Sequence, residues 1–285
     1  MKVCIIGAAG YIGKRIISCI IKNPKNKEIE IIAVVRNKSQ ISEFEGGLYK
    51  VIECDIGKIN KEIIEGIGYI DILIYLAWGR LQDYNSLSHI EIELKIHYNF
   101  ISQIIKFGVG SIVVMGTCFE YGNLLGELHE DDRVNPITTY AFAKNPLRKQ
   151  LQFLQKKFDF NMTWMRIFYI HGGHQQNNSL YRQLLTSVQK KNEFFNMSMG
   201  EQIRDYLHVD DASELIVDVA LRNDNYGIVN ICSGEPISIR RLVEGWIKKG
   251  EYNIELNLGH YQCPDYEPIA FWGSRAKLDT ITSLE

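Results

Sequence analysis

The sequence predicts an α/β fold with a doubly wound parallel sheet, and three observations carry that prediction. Short apolar or β-branched runs alternate with helix-period segments as far as about residue 168. A glycine-rich turn, Gly7-Ala8-Ala9-Gly10-Tyr11-Ile12-Gly13, follows the first of those runs directly. The chain is also large enough: 285 residues, 46% of them hydrophobic, can bury the core of one α/β unit with an elaborated C-terminal part.

Taken in order, residues 3–6, 29–35, 51–54, 70–76, 111–115 and 162–168 are short apolar or β-branched runs that read as strands buried in a parallel sheet. Between them, 11–22, 59–65, about 87–107 and 139–158 carry helical patterns. Strand, helix and returning parallel strand imply right-handed crossovers, which give a Rossmann-like sheet. Beyond residue 168 the rhythm breaks into polar, Asn- and Gln-rich loops, then a helix over 180–190, a short strand over 194–197, and helices over 212–221 and 239–248. We therefore expect a dinucleotide-binding Rossmann domain at 1–168 and a smaller substrate-binding lobe at 169–285. The boundary is approximate, and some segments of the second part return to the first sheet.

Composition excludes several classes. The net charge is −2, with Lys and Arg spread along the chain rather than in blocks, so no footprint for nucleic acid or a membrane surface is present. Six cysteines include no C-x-x-C pair, which fits a reducing cytoplasm. Residues 1–7 read as a strand rather than a signal-peptide core, no apolar run approaches about 18 residues, and a soluble cytoplasmic protein is expected. Internal repeats and low-complexity segments are absent from the sequence.

The glycine turn has the physics of a nucleotide site. Gly7, Gly10 and Gly13 are spaced G-x-x-G-x-x-G, and with Tyr11 and Ile12 they bring a helix N-terminus to a pyrophosphate. The second strand ends in Arg36, where an NAD site would place an acidic residue for the ribose 2′-hydroxyl. A cation there pairs with a 2′-phosphate and favours NADP(H) over NAD(H), which the site could also take; a solvated Arg at a strand end is the alternative. Asp55 and Ile56, closing the third strand, are placed at the adenine, and Leu76, Ala77 and Trp78, closing the fourth, line the cofactor wall.

Tyr140 and Lys144 stand four residues apart on one predicted helix and so project from one face. The ammonium is expected to stabilise the phenolate and to lower the Tyr140 pKa from about 10 toward working pH. Such a pair moves a proton, and beside a dinucleotide turn it implies hydride chemistry on a carbonyl or an alcohol.

In this order the motifs resemble the extended short-chain dehydrogenase/reductase family, or NAD-dependent epimerase/dehydratase family, over essentially the whole chain. Gly7-x-x-Gly10-x-x-Gly13 resembles its cofactor loop, Leu76-Ala77-Trp78 its wall motif, Gly116-Thr117 its catalytic Ser/Thr, and Tyr140-x-x-x-Lys144 its catalytic pair. Arg204-Asp205-Tyr206-x-x-Val209-x-Asp211 is similar to a late nucleotide-sugar motif. The resemblance makes Asn99 the residue that arranges the helix and a water near Lys144. It also implies a homodimer through the helices holding Asn99 and Tyr140. The runs 116–122, Arg166-x-Phe168-Tyr169 and 264–268 resemble nucleotide-sugar 4-ketoreductases, such as those making dTDP-6-deoxytalose, dTDP-fucose or CDP-abequose.

Within that resemblance Thr117 hydrogen-bonds the ketone oxygen while Tyr140 protonates it. Dehydratases of the family carry an acid pair directly after the Ser/Thr, and here those places hold Cys118 and Phe119. The family's 3,5-epimerising reductases carry a Cys where this chain has Phe119; Cys118 is one position off and is expected to face away, both residues bordering the substrate. Reduction of a 4-keto group, or its reverse, remains.

For the substrate, Arg204 can bind a diphosphate bidentately or form an ion pair with Asp205, and Asn178 and Ser179 can present donors at the start of the helix at 180. Tyr169 stands where many members carry a substrate-binding Asn, and His171 and Trp78 are candidate sugar neighbours. His171-x-x-His174 lacks a third ligand, so no metal is expected. The expected partner is a nucleoside-diphosphate sugar, with surface polysaccharide synthesis as the setting. The alternatives are an NAD-dependent C4 epimerase or dehydrogenase and, from another class, a non-catalytic NADP-binding redox sensor.

Overall fold

The computed structural model describes residues 1–173, 179–262 and 268–284. In chain order the first half contains β1 (Lys2–Ile6), α1 (Gly13–Lys22), β2 (Glu30–Val35), β3 (Lys50–Glu53), α2 (Lys61–Ile67), β4 (Ile70–Tyr75), α3 (Leu94–Phe107) and β5 (Val109–Thr117). There follow β6 (Gly126–Leu128), α4 (Thr139–Gln155), β7 (Asn161–Ile167), β8 (Tyr169–His171), α5 (Leu180–Gln189), β9 (Phe194–Asn196), β10 (Ile203–His208) and α6 (Val209–Leu221). The chain ends with β11 (Gly227–Ile231), β12 (Pro236–Ser238), α7 (Ile239–Lys249), β13 (Glu255–Asn257), β14 (Phe271–Gly273) and α8 (Ala276–Thr282).

The main sheet has the order β11-β7-β5-β4-β1-β2-β3, and every pairing in it is parallel. This is the doubly wound, Rossmann-like sheet that the alternating pattern predicts. Alternation of side chains along each strand builds a core on either face. Val3 and Ile5 meet Ile16 and Ile20 of α1 and Ile216 of α6, while Cys4 and Ile6 share the opposite core with Phe100 of α3 and Leu147 of α4.

The strands β6, β8, β10, β12, β13 and β14 and the helix α8 were not predicted, and two features of the main sheet and its helices depart from the predicted pattern. The long helix over 87–107 is a π-helical turn, His89–Glu93, running into α3 from Leu94. The second is β11, whose Asn230 interrupts the apolar run. Tertiary partners satisfy that amide: Tyr121 Oη donates to Oδ1 at 2.7 Å, and Nδ2 donates to Leu128 O at 2.9 Å.

The chain after β7 leaves the sheet and returns to it. Helix α6 packs on α1, and β11 extends the sheet beyond β7. A separate apolar cluster of Leu184, Phe195, Met197, Val243 and Trp246 supports α5, α7 and the two-stranded β9-β13 pair. The carboxyl edge of the main sheet and this cluster face one another across a cleft. Among the described residues no helix is long and apolar enough to cross a membrane.

Candidate active site

A continuous cleft of about 1100 Å³ runs over the carboxyl ends of β1, β2, β4, β5 and β7. Ligands of open parallel sheets bind at this edge. One end is the glycine turn. Gly7 has φ +83, and a Cβ there would lie 3.1 Å from Ala77 N; a Cβ on Gly13 would lie 2.6 Å from Ala8 O. The turn can therefore close only without side chains. Helix α1 starts at Gly13 with no side-chain cap. The N–H groups of Lys14 and Arg15 already donate to Gly10 O at 3.1 Å and Ile12 O at 3.0 Å, so an anion here would be met by the N–H groups of the glycine turn itself. Asn60, Thr138, Ser179 and Ser238, by contrast, cap α2, α4, α5 and α7.

Gly10, Tyr11 and Ile12 border this end, together with Arg36, Asp55 and Ile56. Arg36 is exposed at the end of β2. The Asp55 carboxylate accepts from Gly57 N at 3.0 Å and shapes the loop after β3. Tyr11 Oη donates to Gly172 O, which ties the turn to the start of the second half.

Midway along the cleft stand Thr117, Tyr140 and Lys144. Thr117 ends β5, and its backbone N–H donates to Glu120 Oε1 at 3.0 Å. That carboxylate is fully buried and also accepts from Trp164 Nε1 at 2.9 Å and Arg166 Nε at 3.1 Å. It fixes the turn after β5 from behind and does not reach the cleft. The Tyr140 ring stacks on Tyr84, with 5.2 Å between centroids, and the Thr117 hydroxyl stands beside its phenol as a hydrogen-bond partner.

The electrostatics differ from the expected lowering of the Tyr140 pKa. Burial pushes the phenol above its usual value, with the charges of Tyr84, Glu120 and Cys118 adding to the rise and the Thr117 hydrogen bond opposing it. Lys144 donates to Met115 O at 2.6 Å and lies 5.8 Å from the Tyr140 ring centroid. Burial lowers its own pKa to about 7, against the opposing pull of Glu120 and Glu93. Desolvation thus outweighs the ion-phenolate attraction in this arrangement, and the phenol is held in its protonated form.

The far end of the cleft is aromatic. Tyr169 stacks on Tyr206, with 5.1 Å between centroids, and the His171 ring lies 5.1 Å from Trp246 and 6.0 Å from Tyr181. The His171 pKa falls to about 4, first from burial and then from His208 and Lys249. Cys118 and Phe119 form the nearer wall, Cys118 packing among Tyr121, Phe168 and Cys232. Ser179 borders the same space, its Oγ accepting from Arg182 N at 3.3 Å.

One expectation is corrected by this geometry. Asn99 does not face Lys144: it is exposed on the outer face of α3, where its Oδ1 accepts from Gln103 at 3.3 Å. The residue on the inner face is His97, two positions earlier and fully buried. Arg204 is also buried and is not among the described cleft-lining residues; it lies 4.7 Å over the Phe271 ring and donates to Ile203 O at 2.9 Å. Asn178, His174 and residues 264–267 lie outside the described residues. Sequence reasoning missed Tyr84, His89, Glu93, His97 and Trp246 as site neighbours. The spacing of His89, Glu93 and His97, every fourth residue in a helical stretch, was a signal for one polar face.

Comparison with known proteins gives the same reading of the fold. The model of the NAD dependent epimerase/dehydratase family matches residues 3–232. The chain belongs to that family. A dTDP-6-deoxy-L-talose 4-dehydrogenase (NAD(+)) from Aggregatibacter actinomycetemcomitans is 29% identical over 277 residues, covering 96% of this chain and 100% of the relative. Among solved structures, UDP-glucuronic acid 4-epimerase from Bacillus cereus, in complex with UDP-glucuronic acid and NAD, superposes with a TM-score of 0.83 at 19% identity. It covers 100% of this chain and 94% of its own. MoeE5, in complex with UDP-glucuronic acid and NAD, has a TM-score of 0.82 at 18% identity, over 100% of this chain and 93% of its own. At these identities the structural matches establish the shared fold of the family.

Proposed function

We propose that this member of the family reduces the 4-keto group of a nucleoside-diphosphate 4-keto-6-deoxy sugar with a nicotinamide cofactor. The observation that carries the proposal is the state of the central trio. Tyr140 is held protonated beside Thr117, and no carboxylate follows Thr117 at the cleft wall, because Glu120 is sealed behind it. A protonated phenol is the form that delivers a proton to a ketone as hydride arrives. Water elimination needs a carboxylate acid-base pair, and the wall after Thr117 offers Cys118, whose burial raises its thiol pKa, and Phe119.

The cleft divides the work. The glycine turn leading into α1 suits the dinucleotide pyrophosphate. The nicotinamide, when bound, supplies hydride to the substrate carbon. Thr117 then donates to the carbonyl oxygen as charge develops, Tyr140 transfers its proton there, and charged Lys144 stabilises the phenolate left behind. The aromatic end, with Tyr169, Tyr206 and neutral His171, takes the nucleotide sugar. Residues 169 onward contribute most of that end, and we assign the substrate lobe to them. Arg36 at the end of β2 supports NADP(H), since it offers a 2′-phosphate a cation; the talose relative carries NAD(+) in its name.

The test is a panel of nucleoside-diphosphate 4-keto sugars with NADPH and NADH, followed by product identification by NMR. Oxidation of reduced cofactor with one 4-keto sugar supports the proposal. A second reading, C4 dehydrogenation or epimerisation with NAD, is favoured by the name of the talose 4-dehydrogenase relative. An epimerase retains its cofactor through purification and interconverts nucleotide sugars without net change in reduced nicotinamide.

A further inference from the structure

Beside Tyr140, Lys144 rests against an aromatic group of unusual construction, whose Trp78 ring stands edge-on to Tyr140 with 5.8 Å between centroids. The Lys144 Nζ lies 4.2 Å from the centroid of the Trp78 ring. On Trp78, His97 stacks at 4.2 Å with an interplanar angle of 10°. The indole edge is fixed as well, since Trp78 Nε1 donates to His89 Nδ1 at 3.1 Å and His89 Nε2 meets Asp83 O at 2.8 Å. His97 is pinned at both nitrogens, to Tyr75 Oη at 2.6 Å and Glu93 Oε2 at 3.1 Å. The π-helical turn His89–Glu93 brings both outer anchors to the indole, and such turns recur at functional sites.

We propose that Trp78 is a positioning residue for Lys144, its clamped π face holding the buried ammonium in its charged form between Met115 O and the Tyr140 face. The inference rests on the reading of Lys144 as the charge that supports Tyr140. The groups facing Lys144 are Glu93 and His97 from the π-helical turn and α3, Glu120 from the turn after β5, and Tyr140 on its own helix. None of these carboxylates makes a direct ion pair with Nζ among the described contacts, and the carbonyl of Met115 is neutral. A π face supplies the missing stabilisation of a desolvated cation without adding a titratable group. His97 must be neutral for this to work, because a charge stacked on the same indole would repel Lys144. Its pKa is lowered, chiefly by burial and also by Lys144, while Glu93 opposes that shift.

The experiment is the pH dependence of kcat for ketone reduction by the whole chain, with the cofactor saturating. With Lys144 titrating at about 7, the rate falls on the basic side as the ammonium is lost. Trp78→Leu is expected to move that basic limb down by about 0.5–1 pH unit, whereas Trp78→Phe, which keeps a π face, leaves it near its original position. In a Lys144→Met background, Trp78→Leu is expected to cause no further loss of kcat, the signature of two residues acting as one unit. A limb that stays in place or moves up in Trp78→Leu, or a loss that multiplies with that of Lys144→Met, overturns the proposal. Native turnover in Lys144→Met alone would instead overturn the underlying reading of Lys144. Cofactor affinity, measured by calorimetry on each variant, separates the two roles: a Trp78 that acted only as a cofactor wall would weaken binding equally in both backgrounds and leave the limb unmoved. That outcome also counts against the proposal.

Discussion

At the scale of single residues, chemistry is concentrated in groups whose ordinary ionisation has been displaced by burial. Tyr140 is held as a phenol and Lys144 is brought to about 7, so under the proposed mechanism small changes around either one are expected to alter rate. Tyr140→Phe is expected to lower turnover by about 10²–10⁴, the usual contribution of a positioned proton donor, with cofactor binding within a few-fold. Steady-state kinetics beside cofactor titration checks this, and near-native reduction by the variant would remove Tyr140 from the mechanism. At the nucleotide end, Arg36→Asp is expected to shift the ratio of kcat/KM for NADPH and NADH toward NADH by at least tenfold, since a carboxylate repels the 2′-phosphate and accepts from a free 2′-hydroxyl. An unchanged ratio would show that Arg36 is only a solvated strand-end cation.

At the scale of elements, the turn after β5 is held by a buried ion pair rather than by apolar packing. Glu120 and Arg166 have side chains 0% and 1% exposed, and their contact joins the turn after β5 to β7. Removing one partner leaves an uncompensated buried charge. Glu120→Ala is therefore expected to destabilise the fold by about 3–5 kcal/mol, and Glu120→Ala with Arg166→Met should recover part of that loss. Chemical denaturation of the single and double variants measures both. A single-variant cost below about 1 kcal/mol would mean that water or another group replaces the pair. The elements themselves were largely legible. Strands β1, β2 and β4 announce themselves through apolar runs, because both faces of a doubly wound sheet are buried. β11 did not, since Asn230 looks polar until the partners on Tyr121 and Leu128 are known.

At the scale of the molecule, the two halves are interdependent. A fragment of residues 1–168 lacks β11 at the sheet edge and α6 against α1, so it is expected to be unfolded, as near-ultraviolet circular dichroism or NMR dispersion would show. Acid should also weaken the whole fold. His171 titrates near 4 in the folded chain, against about 6.5 for an unperturbed His, so between those values the unfolded chain binds a proton that the folded chain refuses. Stability therefore falls as pH drops from about 6.5 to about 4, and buried His97, lowered in the same direction, adds to the loss. Thermal midpoints across this range should decline less steeply in His171→Asn, and an unchanged slope would show that His171 is not neutral in the fold.

What the sequence determined by itself was whatever depends on local order: the strand and helix periods, the glycine turn, and the pair Tyr140 and Lys144 on one helical face. These survive because period and spacing map directly onto one face of an element. Only the tertiary structure decided which way α3 is rotated, and so that His97 rather than Asn99 meets the site. It also decided that Arg204 is buried against the Phe271 ring and that Lys144 leans on Trp78 as well as toward Tyr140. Each of these depends on how much water is excluded from a group by residues distant in sequence, and desolvation is a property of the assembled core that no local pattern contains.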